Sequence, residues 1–377
     1  MKVCYLANSA LPSRHANAVH VVNMAYGFSL AGAEVTLLAF QGDRSLLPSQ
    51  DGNAVFDYYG VAPSFRIEWL PNAMLRGRSV VASLAAWSRL KRMAPDFVMG
   101  RHVKACAASC FRGFPTVLET HKPFSWHSHG DRLLIRGMFR SPAFRGLVTI
   151  SQPLRDILAE ETGLDPKRIL VAHDAATPST INAPVHLGQA GRLQAGYIGA
   201  FYPGRGIELI LAVAGMLPDI DFHFIGGKAE DLATWGCEDP GLPNVHFHGF
   251  QTPSRAAAMR AGCDVLLAPY QRKTLIKDGW DTTRWMSPLK IFEYMSAGKP
   301  ILCSDLPVLR EVMTDGENAL LLPPDDGAAW AQALRRLEAD RGYARELGQR
   351  ALEGFLKNHT WQQRAMRIAT FAGFGGG

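Results

Sequence analysis

Two segments of the chain combine residue types that suit a negatively charged ligand. The first, residues 199–206, reads Gly-Ala-Phe-Tyr-Pro-Gly-Arg-Gly and lies between a predicted strand and a predicted helix. Glycines such as Gly199 let a backbone approach a ligand closely, and the free N–H groups of a helix start attract anions. Arg205 adds a permanent charge whose planar fork fits phosphate. The segment predicts a diphosphate site, with a strand–helix turn carrying an exposed arginine as the alternative.

The second segment, residues 287–300, reads Ser-Pro-Leu-Lys-Ile-Phe-Glu-Tyr-Met-Ser-Ala-Gly-Lys-Pro. Ser287 suits a helix N-cap, and the proline after it suits the first helical position. The N–H groups of Leu289 and Lys290 would then be free to bind phosphate, and such an anion would favour a cation at this helix start. Glu293 lies on the same helix face, where a carboxylate can bind a ribose diol. A surface pair between Lys290 and Glu293 is the alternative.

Two histidines follow predicted strands in the first half of the chain. His121 comes after a strand at 116–119, and His102 comes after a strand at 96–99. In open α/β sheets, ligands bind outside the carboxyl ends of the strands, so both histidines are candidate site residues. A lone histidine is also common as a surface or core residue. Neither is part of a pattern with metal-ligand spacing, and we predict no metal site.

The elements that position these residues alternate between strand and helix. A strand from Lys2, a helix ending near Leu30 and a strand from Glu34 form the first such unit, which favours a parallel sheet. The pattern restarts at Gln194 after a segment rich in Ala, Pro and Thr. We predict an α/β protein with two Rossmann-like, doubly wound domains facing across a cleft. The predicted divisions are a first domain at 1–175, a linker at 176–193, a second domain at 194–355, and a C-terminal helix and tail at 356–377 that packs back on the first domain.

Composition excludes several classes of protein. The chain has 377 residues, of which 47% are hydrophobic and 20% charged, so it is globular and long enough for two domains. Its six cysteines are too few and too scattered for a disulfide scaffold, which predicts free buried thiols. The chain has neither a signal peptide pattern nor a long apolar run, and we expect a cytoplasmic protein.

Positive charge is concentrated in the first half. Residues 1–190 hold 20 Lys and Arg against 13 Asp and Glu, out of totals of 40 and 34. Arg132, Arg136 and Arg140 recur every four residues among apolar residues, as in a helix that lies on an anionic bilayer. The pattern predicts peripheral association with the inner face of a membrane, with a solvated helix face as the alternative.

The sequence resembles retaining glycosyltransferases of the GT-B fold in glycosyltransferase family 4, and the resemblance covers most of the chain. It rests chiefly on residues 287–300, followed by Ser-Asp-Leu-Pro-Val-Leu-Arg-Glu at 304–311 and Asp-Gly-Glu-Asn-Ala-Leu-Leu-Leu-Pro at 315–323. Residues 9–40, 244–250 and 264–269 add to it. The Ser-Pro-Leu-Lys-x-Phe-Glu-Tyr-Met variant is similar to one branch of this family.

The resemblance implies transfer of a hexose from a nucleotide diphosphate sugar, UDP- or GDP-linked, to a hydroxyl of a glycan or lipid-linked acceptor, with retention at the anomeric carbon. It implies polysaccharide or glycolipid synthesis without a metal, a further cofactor or nucleic acid. The resemblance assigns residues as follows: Arg205, Lys290 and His121 to catalysis; Gly199, Ser287, Leu289, Glu293, His248 and Gly249 to the donor; and Asn17, Arg14 and His102 to the acceptor side.

Two positions depart from the family pattern. The family commonly has a glutamate eight residues before Glu293, where this chain has Trp285, and an arginine where it has Ala200. We interpret both as features of a subtype in which backbone N–H groups near Ser287 and Leu289 take over part of the binding of the donor sugar's hydroxyls. The alternatives are a non-catalytic binder of anionic lipid or nucleic acid, and a nucleotide-sugar epimerase on the same fold. An oxidoreductase is disfavoured because no dinucleotide fingerprint follows the first strand.

Overall fold

The computed structural model describes residues 1–47, 49, 51–71, 78–179, 184–227, 241–275 and 279–374. The chain divides into two compact units. The first comprises Met1–Ala175 with Thr360–Gly377, and the second comprises Ala176–His359. The described part of the segment 176–193 therefore belongs to the second unit, where the Val185 N–H donates to the Ala258 carbonyl at 3.2 Å.

The first unit is built on a parallel sheet of seven strands. These are β1 Lys2–Leu11, β2 Glu34–Gln41, β3 Arg66–Leu70, β4 Phe97–Gly100, β5 Thr116–Glu119, β6 Phe144–Thr149 and β7 Ile169–Val171. Their order is β3-β2-β1-β4-β5-β6-β7. The helices before the second unit are α1 Ala16–Leu30, α2 Ala54–Tyr59, α3 Arg78–Met93, α4 Val103–Cys110, α5 His129–Phe139 and α6 Gln152–Thr162.

The second unit has a parallel sheet of six strands. These are β8 Gln194–Ile198, β9 Asp221–Ile225, β10 Val245–Gly249, β11 Val265–Ala268, β12 Ile301–Ser304 and β13 Leu320–Leu322. Their order is β10-β9-β8-β11-β12-β13. The described helices are α7 Ile207–Met216, α8 Pro253–Gly262, α9 Leu289–Ser296, α10 Gly327–Ala339 and α11 Arg341–Asn358.

A last helix, α12 at Trp361–Phe371, returns to the first unit. It packs closely on α1, since a Cβ at Gly27 would collide with the backbone of Trp361. The Gln362 amide donates to the Leu30 carbonyl at 2.8 Å and fixes the register of the two helices. None of the described helices has the length and apolar character needed to span a bilayer.

Both sheets have the strand order of doubly wound dinucleotide-binding folds, which confirms the predicted fold class. The central strands are apolar and buried on both faces, as the run Val265–Ala268 illustrates, because helices cover each side of a parallel sheet, whereas the edge strands β3 and β10 are partly exposed. The strand order reverses between β1 and β4 and again between β8 and β11. Ligands of such sheets bind at this reversal, so the loops that begin at Gly199 and Pro269 are well placed to hold one.

The structure differs from the sequence prediction at the start of helix α9, and it also defines the start of helix α1. Helix α9 begins at Leu289 with Pro288 at the N-cap, where Ser287 was expected. Helix α1 has His15 at the N-cap, so Asn17 lies in the first turn. Its side chain donates to Asn8 Oδ1 at 3.1 Å and to Ser9 Oγ at 2.6 Å, which ties the helix start to the end of β1. The described cysteines are free and buried, as predicted, and Cys237 lies outside the described residues.

Candidate active site

Lys290 carries a buried, unpartnered charge at the start of α9. Its Nζ atom is inaccessible to solvent and has no hydrogen-bond partner among the described residues. The atom lies 3.6 Å from the centre of the Tyr197 ring and 5.2 Å from that of Tyr270, so aromatic faces line it. Burial, together with the guanidinium of Arg205, holds the pKa of Lys290 well below its usual range. An anion bound beside Nζ would supply the missing hydrogen bonds and counter-charge.

Gly199 and Arg205 complete what we call the cationic pocket, formed by these two residues with Lys290, Tyr197 and Tyr270. Gly199 has φ +150°, and a Cβ there would lie 3.0 Å from Lys290 Nζ. The guanidinium carbon of Arg205 lies 5.2 Å from the centre of the Tyr270 ring. The absence of a side chain at Gly199 therefore leaves room beside the Lys290 ammonium. The cationic groups of Lys290 and Arg205, which come from different segments, both face the ring of Tyr270.

A buried tyrosine anchors α9 to the sheet. The Tyr294 hydroxyl accepts from the Ile198 N–H at 2.8 Å and lies 3.3 Å from the Leu267 carbonyl. These contacts join the helix to the ends of β8 and β11, on either side of the reversal in strand order. Ser287 is buried just before the helix, and Leu289 provides its first helical N–H. The helix start is thus held rigidly at the cationic pocket.

Glu293 has a partner that the sequence did not reveal. Its Oε2 lies 3.4 Å from Nη1 of Arg260, a residue of α8 whose side chain is 9% exposed. The Glu293 side chain is 35% exposed, so its carboxylate remains accessible beside this arginine. The only sequence signal for Arg260 is an arginine among the small residues of α8.

His248, which is half-buried, ends a series of hydrogen bonds that begins at the buried side chains of Gln194 and His223. The Gln194 amide nitrogen donates to the Arg192 carbonyl at 2.9 Å, so its oxygen is the acceptor for His223 Nε2 at 2.7 Å. His223 Nδ1 then accepts from His248 Nε2 at 3.0 Å. Burial and the imidazoles of His246 and His248 lower the pKa of His223 to about 3. This series of hydrogen bonds leaves Nδ1 of His248 unprotonated. The neighbouring Gly249 has φ +63°, and a Cβ added there would meet no other atom within 4 Å.

In the first unit, His121 joins a buried group that we call the Glu119 cluster, made of Tyr5, His20, Glu119, His121 and Arg364. His121 Nε2 lies 2.9 Å from Glu119 Oε1, which also faces Arg364 Nη2 at 2.7 Å and His20 Nε2 at 3.0 Å. The ligand atoms of His20, Glu119 and His121 lie within 4.8 Å of one another, a distance that suits a metal ion. The guanidinium on the same carboxylate oxygen opposes a second cation there.

The acceptor-side candidates have structural contacts of their own. His102 is the N-cap of α4, and its Nδ1 accepts from the Ala105 N–H at 3.1 Å. Burial lowers the pKa of His102. Arg14 is exposed, in the loop between β1 and α1. Asn17 is committed to the end of β1, as described above. Of this group, Arg14 is the residue best placed to meet an anion from solvent.

The three arginines of the predicted amphipathic stretch lie on or next to α5. The helix buries Ile135 and Met138, so its apolar face packs in the unit. Arg136 and Arg140 are exposed, and Leu133, which follows Arg132, is 55% exposed. His129, Arg132, Leu133 and Arg136 line a shallow cavity of about 260 Å³. The outer face of α5 therefore combines cationic groups with an exposed leucine.

Comparison with known proteins identifies the class to which the fold belongs. Residues 18–176 match the model of Glycosyltransferase Family 4, and residues 192–340 match that of Glycosyl transferases group 1. Sucrose-phosphate synthase from Thermosynechococcus elongatus aligns over 98% of both chains with 16% identity and a TM-score of 0.73. Anabaena HepE, solved with UDP-glucose, aligns over 98% of both chains with 15% identity and a TM-score of 0.68. The fold is GT-B.

Two successive segments of the chain therefore match glycosyltransferase family models, and the fold is that of GT-B glycosyltransferases. A phosphatidyl-myo-inositol mannosyltransferase from Mycobacterium leprae is 32% identical over 139 residues, which make up 35% of this chain and 33% of the relative. The matched segments span less than half the length of each curated relative.

Proposed function

We propose that the protein is a retaining glycosyltransferase that moves a hexose from a UDP- or GDP-linked sugar to an acceptor hydroxyl. The observation that carries this proposal is the buried Lys290 ammonium, which has no hydrogen-bond partner among the described residues. A diphosphate in the cationic pocket would give it both hydrogen bonds and a counter-charge. Anabaena HepE, which shares the fold, was solved with UDP-glucose, and this supports a nucleotide sugar as donor.

In this proposal Arg205, Lys290 and the N–H groups at the start of α9 stabilise the negative charge that grows on the departing diphosphate. These groups are already oriented in the protein, which is why the proposal needs no metal ion or further cofactor. Glu293 binds the ribose diol, and His248 with Gly249 lies beside the base. His121 contacts the donor sugar. The departing phosphate takes the proton of the acceptor hydroxyl, which allows transfer with retention.

We further propose that the acceptor is a glycan or a lipid-linked glycan, in polysaccharide or glycolipid synthesis. The exposed face of α5, with Arg132, Arg136, Arg140 and Leu133, suits an anionic membrane surface. Arg14 is the candidate contact with an anionic acceptor. The mycobacterial relative, a phosphatidyl-myo-inositol mannosyltransferase, supports this substrate class.

The first experiment is a thermal-shift panel with UDP, GDP, ADP, their sugar conjugates and NAD, without metal and then with chelator. A ligand at about 100 times its Kd stabilises a protein by roughly 2.7 kcal/mol. We expect a chelator-insensitive shift with one nucleoside diphosphate, and its loss in Glu293→Ala would tie it to the proposed ribose contact. A flat response to every diphosphate, or a shift with NAD alone, would refute the donor site. The anomeric configuration of the product, read by NMR, then tests retention.

A further inference from the structure

We propose that Glu119 and Arg364 are positioning residues that hold His121 as the neutral tautomer protonated at Nε2, with its lone pair on Nδ1. The role of this tautomer in catalysis rests on the proposed function, but the tautomer itself is a property of the first unit alone. Arg364 lies in the C-terminal helix α12, far from Glu119 in the chain.

The hydrogen-bond geometry fixes the direction of donation. Glu119 and Arg364 are both completely buried, and Arg364 Nη2 donates to Glu119 Oε1 at 2.7 Å. Tyr5 donates its hydroxyl to Glu119 Oε2 at 2.9 Å. An ionised carboxylate can only accept hydrogen bonds, so His121 Nε2, at 2.9 Å from Oε1, carries the proton.

Arg364 keeps this carboxylate ionised. Burial alone would raise the pKa of Glu119, but Arg364 and then His20 hold it well below its usual value. The guanidinium is itself fixed, because Nε donates to the His173 carbonyl at 2.9 Å and Nη2 to the Ala172 carbonyl at 3.1 Å. The arginine thus connects the end of β7 to the carboxylate at the end of β5.

His20 and Asp174 support the same arrangement from the other side. His20 Nδ1 lies 2.9 Å from Asp174 Oδ1 and Nε2 lies 3.0 Å from Glu119 Oε1, so a carboxylate oxygen faces each ring nitrogen. The His20 ring meets His121 edge to face, with centroids 4.9 Å apart. Both the orientation of the His121 ring and its hydrogen-bond partner are therefore determined by buried groups.

The remaining charges around His121 keep the ring neutral. Burial, followed by the charge of Arg101, lowers the pKa of His121 to about 4, against the opposing effects of Glu119 and Asp174. A neutral ring with its proton on Nε2 presents only an acceptor at Nδ1. Such an acceptor binds a hydroxyl and repels a phosphate oxygen. In the proposed reaction, His121 therefore recognises a sugar hydroxyl and does not neutralise the diphosphate.

The test uses the whole 377-residue chain with 15N-labelled histidine and long-range 1H–15N correlation spectra at neutral pH. The signals of His121 are assigned by their loss in His121→Gln. We expect a single neutral form with Nδ1 unprotonated and Nε2 protonated. A ring protonated on Nδ1, or on both nitrogens, would overturn the proposal. Because no substrate is present, this result is independent of whether the protein transfers sugar.

A double variant, Glu119→Leu with Arg364→Met, tests which residues set the tautomer. Replacing a buried ion pair by apolar residues of similar volume is often neutral for stability, so the variant is expected to fold. Arg367→Met is the matched control, since Arg367 is an exposed arginine of the same helix. We expect the double variant to show a mixture of tautomers and the control to match the unaltered protein. An unchanged His121 spectrum in the double variant would refute the positioning role. If the double variant does not fold, Glu119→Gln combined with Arg364→Met takes its place and is read in the same way, because it also leaves no unpaired buried charge.

Discussion

Replacing Lys290 by methionine should stabilise the ligand-free protein while abolishing its response to nucleoside diphosphates. The side chain loses its charge but keeps its length and apolar stem. In the structure the ammonium is inaccessible to solvent and has no hydrogen-bond partner among the described residues. Its contacts with the aromatic rings of Tyr197 and Tyr270 offset only part of this cost. Residues selected for stability alone would not leave a cation in this state.

The size of the effect follows from two opposing terms. Removing an ammonium from water costs several kcal/mol after relaxation, and a desolvated cation–π contact returns about 2 kcal/mol. We therefore expect Lys290→Met to stabilise the second unit by about 1–3 kcal/mol, within the range seen when apolar groups replace buried charges. Each kcal/mol raises Tm by about 2–4 °C for a unit of this size.

The assay is thermal unfolding with and without UDP or GDP at about 100 times the Kd of the unaltered protein, where the ligand contributes roughly 2.7 kcal/mol. Lys357→Met is the matched control, because Lys357 is exposed on α11. The control should change neither Tm nor the ligand shift. A Lys290→Met variant that is destabilised, or that keeps its full ligand shift, would refute the interpretation of the pocket as an anion site.

Three further predictions follow from the same geometry. Gly199→Ala places a methyl group 3.0 Å from Lys290 Nζ at a φ of +150°, so diphosphate binding should weaken at least tenfold in calorimetric titrations; unchanged affinity would show that the glycine is dispensable. Because burial lowers the pKa of Lys290, part of the free protein holds this residue as the neutral amine when the pH approaches that pKa. Diphosphate binding should then take up a proton and should weaken as the pH rises further; calorimetry in buffers of different ionisation enthalpy measures the uptake, and zero uptake at every pH from neutral to alkaline contradicts the prediction. The pKa of His121 is lowered to about 4 and that of His223 to about 3, whereas both side chains bind a proton near pH 6.5 in the unfolded chain. Protonation therefore favours the unfolded state, and Tm should fall as the pH drops from about 7 towards 4. A Tm that does not change over this pH range would contradict the prediction.

The sequence predicts the donor side of the site well, because its parts are local. The glycines and Arg205 lie in one loop after a strand, and Lys290 lies at a helix start that the sequence marks with a proline. The rule that ligands bind where the strand order reverses then joins the two segments. Tyr197 and Tyr270 could not be assigned to the pocket walls, because their positions depend on how β8 and β11 pair in the sheet. The exact helix start, at Leu289, depends on backbone geometry that a capping preference does not determine.

The Glu119 cluster shows why the first unit was harder to interpret. His121 was identified as a strand-end histidine, but its partners come from the start of α1, the end of β7 and the C-terminal helix. In the sequence, Arg364 is one arginine within an amphipathic helix, where it would ordinarily be assigned to the solvent face. Only the packing of α12 on α1 shows that this arginine is completely buried.

Arg364 and Lys290 both bury a cationic group, but the two residues have different roles. The Arg364 guanidinium has a carboxylate and two carbonyls as partners. Removing Arg364 alone would cost about 3–5 kcal/mol, because Glu119 would remain as an uncompensated buried charge. The Lys290 ammonium has aromatic faces but no hydrogen-bond acceptor among the described residues. Burial alone does not distinguish the two residues; the presence or absence of hydrogen-bond partners does. The first is structural and acts through His121, whereas the second has the property expected of a group whose partner arrives with the substrate.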